Sequence, residues 1–173
     1  SNNRLTSLKT ASEKLQKVNC SNNALTSIDF SGAKGALQEL DCSNNALTSL
    51  NIQNNTELGT LKCSNNQLTS LDLTNHKKMG FLDCSKNRLT VLKTFVPESI
   101  YIASGIGYIN CSDNALTSLH FGIKPDHLYS ENNVYNITVD EDARTFDLTT
   151  LPGSFLPSRI ISLQGATRRN NIL

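Results

Sequence analysis

The stretch LQELDCSNNALTSL, residues 37–50, carries the pattern that decides the fold. Written as Leu-x-x-φ-x-Cys-Ser-x-Asn-x-Leu-Thr-x-φ, with φ standing for Val, Leu or Ile, it recurs four more times. The other copies are LQKVNCSNNALTSI at 15–28, LGTLKCSNNQLTSL at 58–71, MGFLDCSKNRLTVL at 79–92 and IGYINCSDNALTSL at 106–119. The cysteines are Cys20, Cys42, Cys63, Cys84 and Cys111, at steps of 22, 21, 21 and 27. Three places on stand Asn23, Asn45, Asn66, Asn87 and Asn114. Self-similarity at a fixed period of this length is the signature of a stacked array, in which each unit covers the apolar face of the next.

Outward from these five units the pattern fades at both ends. SNNRLTSL at 1–8 is the back half of a unit, with Asn3 in the ladder position and Leu5 after it, so the chain reads as a fragment or processed product of a longer array. His127-Leu128-Tyr129-Ser130-Glu131-Asn132-Asn133 reads as a decayed sixth unit, with Ser130 in the Cys place and Asn133 in the Asn place. A terminal unit has no neighbour to cover it, which suits such decay. The organisation expected is a solenoid over 1–135, beginning mid-repeat, and a C-terminal cap or the start of a following module over 136–173.

Within a unit, Val18-Asn19-Cys20 and Leu40-Asp41-Cys42 alternate with period two, which reads as strand. Leu or Val and Cys point inward; the residues around them point outward. One such strand cannot bury its own face, so the units stack into a parallel sheet with strands about 4.8 Å apart. The Leu-Thr-Ser-Leu-Asp-Leu segments carry the chain back across the other side. There Leu25, Ile28 and Phe30, then Leu47, Leu50 and Ile52, then Leu68, Leu71 and Leu73 complete the core. So short an arm predicts extended chain, turns and single 3₁₀ turns, not long helices. The cysteines read as free, buried thiols: ladder neighbours lie farther apart than the about 3.5–4.5 Å Cβ separation of a disulfide, and they are odd in number. The asparagines read as structural, each offering an amide to backbone groups that lose water inside the stack.

The five LxxφxCSxNxLTxφ runs, with Met79 and Ile106 in place of the first Leu in two of them, resemble the bacterial leucine-rich-repeat family of the internalin J-like type, and related repeat proteins of Bacteroides-type bacteria. The likeness covers roughly residues 1–121. It implies an α/β leucine-rich-repeat horseshoe, mostly β with little helix: a right-handed solenoid with a parallel sheet on the concave face and turns or 3₁₀ segments on the convex face. It further implies a secreted or surface-anchored bacterial protein that acts in adhesion or ligand capture without catalysis. The segments Ile137-Thr138-Val139-Asp140 and Arg144-Thr145-Phe146-Asp147-Leu148 resemble the closing part of such arrays.

Composition points the same way. Lys+Arg number 16 against 15 Asp+Glu, a net charge of +1 that excludes a strongly basic nucleic-acid binder. No apolar run of about 18 residues is present to insert into a membrane. No metal or cofactor is implied: there is no CxxC or Cys/His spacing, and no GxSxG, HExxH or P-loop pattern. His76, His120 and His127 stand at unrelated repeat positions. Asp140-Glu141-Asp142 lacks the spaced oxygen ligands of a calcium loop and reads as a solvated turn. Asn54-Asn55-Thr56 and Asn136-Ile137-Thr138 match a glycosylation sequon that carries little weight in a bacterial protein.

Function is therefore sought on the outward, variable positions. The column before φ reads Lys17, Glu39, Thr60, Phe81, Tyr108, His127, and the column after φ reads Asn19, Asp41, Lys62, Asp83, Asn110, Tyr129. The column one place earlier is expected to hold buried or short residues. Beside the Asn ladder run Asn22, Asn44, Asn65, Lys86, Asp113 and, after it, Ala24, Ala46, Gln67, Arg88, Ala115. Large residues collect toward the C-terminal half. Phe81, Asp83, Lys86, Arg88, Tyr108 and Tyr129 are the candidate ligand-binding residues, because aromatics and Arg dominate interface energetics. The competing reading has Phe81 and Tyr108 simply covering each other. The longer step to Cys111, over KTFVPESIYIASG at 93–105, reads as a tolerated insertion before it reads as a functional loop. The function expected is recognition of a protein or glycan partner through the concave face; the alternative is a spacer that presents a neighbouring domain.

Overall fold

The computed structural model describes residues 3–10, 12–33, 35–95, 106–117 and 126–133, and all structural statements concern these residues. The expected cap at 136–173, His120, Asp140 to Asp142, Asn136 and most of the 93–105 insertion lie outside them.

Ten short strands follow one another: β1 (Ser7–Lys9), β2 (Lys17–Asn19), β3 (Ser27–Asp29), β4 (Glu39–Asp41), β5 (Thr60–Lys62), β6 (Ser70–Leu73), β7 (Phe81–Asp83), β8 (Val91–Thr94), β9 (Tyr108–Asn110) and β10 (His127–Tyr129). The φ-centred segments form one six-stranded parallel sheet in the order β10-β9-β7-β5-β4-β2. Its register runs Val18, Leu40, Leu61, Leu82, Ile109, Leu128, each opposite the next. Equivalent residues of successive units are therefore cross-strand neighbours, and any column in the aligned sequence is a column in space.

The returning arm differs from expectation. It holds two parallel pairs, β1 with β3 and β6 with β8, and no helix or 3₁₀ turn among the described residues. The α/β label, with its little helix and 3₁₀ segments, is corrected to an all-β solenoid over these residues. The physical reason is the alternation Leu71-Asp72-Leu73 and Leu92-Lys93-Thr94, which buries every second side chain and pairs edge to edge with the next unit. A 3₁₀ turn would spoil that alternation.

Between the two arms lies a continuous core. Leu40, Leu61, Leu82, Ile109, Cys42, Cys63, Cys84 and Cys111 line the sheet side, and Leu25, Leu47, Leu68, Leu89 and Leu116 follow the turn. Phe30, Ile52 and Leu73 fill the returning side, while Ile28 and Leu50 stay partly buried. Burying one such side chain contributes about 1.5–3 kcal/mol. Val18 and Leu128, in the two outermost strands of the sheet among the described residues, are only partly buried. All five cysteines are free and buried, as their spacing implies.

The Asn ladder ties unit to unit. Asn66 Oδ1 accepts the N–H of Leu47 at 3.0 Å, and its Nδ2 donates to the carbonyls of Cys42 at 3.0 Å, Cys63 at 3.1 Å and Ser64 at 3.3 Å. Asn45, Asn87 and Asn114 repeat the pattern. Asn133 extends it to the sixth unit, accepting from Leu116 N at 3.0 Å and donating to Cys111 O at 3.0 Å. The residue before each ladder Asn is left-handed: Asn22, Asn44, Asn65, Lys86, Asp113 and Asn132 have φ between 53 and 58°. Asn and Asp tolerate that conformation better than other L-residues, which explains five of these six identities.

Two polar side chains close the returning turns. Asn55 Nδ2 donates to Ala33 O at 3.0 Å, and His76 Nε2 lies 3.2 Å from Ile52 O. Both are almost wholly buried. His76 thus takes the structural post that Asn55 holds one unit earlier. Burial holds its pKa below the ordinary histidine value.

Candidate binding face

The outward surface of the main sheet changes character along the array. In β2 and β4 it is closed by ion pairing: Lys17 Nζ lies 2.6 Å from Glu39 Oε1. In β7, β9 and β10 it is aromatic. Phe81 and Tyr108 are cross-strand partners whose rings stack with centroids 4.4 Å apart and planes within 1°. Tyr129, one column over and one strand on, meets Tyr108 at 5.5 Å and 43°. Lys62 Nζ lies 5.7 Å from the Phe81 centroid, over the ring. A four-member row, Lys62-Phe81-Tyr108-Tyr129, therefore spans four strands, its two ends in one outward column and its two middle members in the other. Phe81 and Tyr108 do cover each other, and both remain half-exposed; Tyr129 is 44% exposed, among the most exposed large apolar side chains described.

The flank preceding the stripe carries Gln16, Gln38, Gly59, Gly80, Gly107 and Asp126. It does not consist of buried or short residues throughout, because Gln16 and Gln38 are exposed. Beside the aromatic rings it is glycine in three successive units. At Gly59 a Cβ would stand 3.3 Å from Lys78 O, a tight fit; at Gly80 and Gly107 the nearest atoms are Gly59 O at 3.8 Å and Gly80 O at 3.5 Å, ordinary contacts. At Gly107 the Asp126 carboxylate also stands close, 3.6 Å from where a Cβ would be.

The flank following the stripe is partly occupied by local structure. Asp83 is half-buried, and its Oδ1 accepts the Ser85 N–H at 3.2 Å and the Ser85 hydroxyl at 2.7 Å. Asn19, Asp41 and Asn110 hold Ser21, Ser43 and Ser112 in the same way. One Asp83 oxygen is thus structural, which repeat counting alone does not reveal. Lys86 and Arg88 are exposed, Lys86 at the left-handed turn position and Arg88 two residues on. The Tyr108 hydroxyl pKa is raised, first by desolvation and then by the negative charge of Asp83, so the hydroxyl keeps its proton and can donate.

The cysteines contribute nothing to surface chemistry. Burial pushes the Cys20 thiol up to about 11 and Cys111 to about 12, and those between them higher still. A thiolate is the reactive form, so these groups are inert at neutral pH. Among the described residues, no three His, Cys, Asp or Glu side chains are grouped to hold a metal, and no helix is long and apolar enough to cross a membrane.

No family model and no curated protein matches the chain. A solved structure is similar to it: the functional domain of InlJ from Listeria monocytogenes, a protein whose structure includes a cysteine ladder, at 32% identity and a TM-score of 0.48. The match covers 62% of this chain and 27% of that one, so the chain spans about a quarter of its length. The Cys and Asn ladders described above resemble the internalin-like type of leucine-rich repeat.

Proposed function

We propose that this cysteine-ladder repeat is a non-catalytic protein-binding module of a bacterial secreted or surface protein, and that it engages its partner through the C-terminal half of the main sheet. In this reading the main sheet is the concave face of a right-handed horseshoe. The observation that carries the proposal is the half-exposed row Phe81-Tyr108-Tyr129, in a sheet whose other end is closed by an ion pair. Ring stacking adds about 0.5–1.5 kcal/mol to such a pair, and the rings still present edges to solvent.

The same geometry favours a protein over a glycan. A sugar stacks on a free ring face. Here Phe81 and Tyr108 turn one face to each other, and Lys62 lies over Phe81. What remains open is ring edge above a glycine flank, a surface suited to apolar side chains of a protein.

The test is a comparison of wild-type chain with a Phe81→Ala, Tyr108→Ala variant, both immobilised, against surface proteins and a glycan array. The two must first show matching thermal melts. Capture of a protein by wild type alone, with a silent glycan array, is the expected result. Equal capture by the variant, or binding to glycans that it also loses, refutes the proposal.

A further inference from the structure

We infer that the protein segment recognised by this face is acidic as well as apolar, with its carboxylates taken by Lys62, Lys86 and Arg88. The inference rests on the binding-face reading above and goes beyond it in naming the partner's chemistry. Repeated units provide an internal control: where five or six equivalent positions share a structural reason for one residue type, a departure stands out.

Three cations stand at such positions in two adjacent units; the other departures in these columns include Tyr129, the neutral Gln67, and Arg4 of the first, partial unit. Position 62 is filled in the other four full units by Asn19, Asp41, Asp83 and Asn110, each of which accepts two hydrogen bonds from the serine two residues on. A lysine accepts none, so Ser64 goes without that pair. Position 86 is left-handed, with φ of 53°, and is filled elsewhere by Asn or Asp. Lysine is disfavoured there. Position 88 is exposed; it is Ala24, Ala46 and Ala115 in three other units, Gln67 in a fourth and Arg4 in the first, partial one. Packing asks for no arginine. Each cation is placed against, or without help from, the local needs of the fold, and strain retained in this manner is the mark of a functional position.

These cations differ in their pairing from four other lysines, and share the lack of an ion pair among the described residues with Arg4, Lys14 and Lys77. Lys9, Lys17, Lys78 and Lys93 each meet an acid of a neighbouring unit, namely Asp29, Glu39, Glu57 and Asp72. Among the described residues, Lys62, Lys86 and Arg88 form no ion pair. The acids nearest in the array each give one oxygen to a local donor: Asp41 and Asp83, in register on either side of Lys62, accept from Ser43 and Ser85 through Oδ1, and Asp113 accepts from Asn132 through Oδ1. Lys62 and Lys86 stand near one another in the fold, because Lys62 is the cross-strand neighbour of Asp83 and Lys86 follows Asp83 by three residues, at most about 10 Å of chain; Arg88 follows Lys86 by two. Phe81 stands two residues before Asp83 on the same outward side. A segment that sets an apolar side chain against the Phe81–Tyr108 edges brings a neighbouring carboxylate within reach of these donors.

The experiment is selection from a displayed library of random peptides on wild-type chain, followed by affinity measurements on the selected peptides. These are made with wild type, a Lys62→Glu, Lys86→Asn, Arg88→Glu variant and the Phe81→Ala, Tyr108→Ala variant, each checked for an unchanged fold by circular dichroism. The expected result is enrichment of Asp and Glu beside aliphatic or aromatic residues, affinity weakened by about tenfold or more in both variants, and weakening by added salt. Enrichment without acids, equal binding by the charge variant, no enrichment at all, or displacement by a single-stranded oligonucleotide overturns the inference. Loss in the aromatic variant alone overturns it while leaving the binding face standing. Retention in the aromatic variant overturns the binding-face reading itself.

Discussion

Replacing Asn66 by Ala tests whether the Asn ladder holds the array together. In the wild-type chain the amide takes part in four hydrogen bonds: one accepted from Leu47 N and three donated to Cys42 O, Cys63 O and Ser64 O. The carbonyls have other donors: Cys42 O keeps Asn45 Nδ2, Cys63 O keeps Asn87 Nδ2 and Ser64 O keeps Asn44 N. The Leu47 N–H has no such reserve and sits in a buried contact, so it is orphaned at a cost of about 1–3 kcal/mol. Weakening of the three carbonyl interactions brings the expected total to about 3 kcal/mol. Asn23 supplies the control. Its Oδ1 accepts from an exposed Leu5 N at 3.3 Å, and water replaces that bond, so Asn23→Ala costs less than about 1 kcal/mol. Urea unfolding of both variants, with equal m-values as the condition for comparison, should therefore give midpoints that differ by about 2 kcal/mol in stability. A difference below about 0.5 kcal/mol refutes the ladder as the tie between units.

Three further outcomes are expected. Because burial lowers the His76 pKa in the folded chain, the unfolded chain takes up the proton first; stability is complete above the ordinary value of 6.5 and falls as pH drops below it. His76→Asn, the residue of the equivalent place one turn earlier, should flatten that decline in urea titrations between neutral and mildly acidic pH; an unaltered slope refutes the assignment. Lys86→Asn should raise stability by about 1 kcal/mol through relief of the left-handed lysine, while weakening acidic peptides; a loss of stability contradicts the turn argument. The five thiols should react with a thiol reagent only after denaturant is added, Cys20 being the first exposed, since burial pushes even its pKa up to about 11; rapid labelling of Cys63 in the native chain refutes the buried ladder.

Much of the architecture is legible before any coordinates. Period-two alternation around Leu40 and Leu61, the Cys column and the Asn column predict a stacked parallel sheet with buried free thiols, and the sheet register follows them residue for residue. Less legible are roles that arise from contacts between residues about a unit apart, or from a backbone angle. Asp83 reads as a free carboxylate until Ser85 is seen donating to it. Lys86 reads as one more outward side chain until its φ is known. His76 stands in the place of Asn55 one unit earlier, and its imidazole reaches a carbonyl 24 residues back as the Asn55 amide reaches Ala33. A tight i to i+2 signal, Asx followed by Ser in four of the five full units, was available for the first of these, and the alignment of His76 with Asn55 for the third.

The sequence alone determined which residues stack on which, because the period of a solenoid sets its columns, and the five cysteines state that period in three steps of 21 or 22 residues and one longer step. It could not determine how the stacked columns use their surfaces. Whether Phe81 and Tyr108 show faces or edges depends on side-chain torsions set by Lys62, Tyr129 and the glycine flank at Gly80 and Gly107. Which charges are already paired depends on reach between neighbouring units, where Lys17 finds Glu39 and Lys62 finds only a ring. Periodicity is a property of the chain, but the availability of a ring edge or an ammonium is a property of its neighbours in space, and only the tertiary structure specifies those.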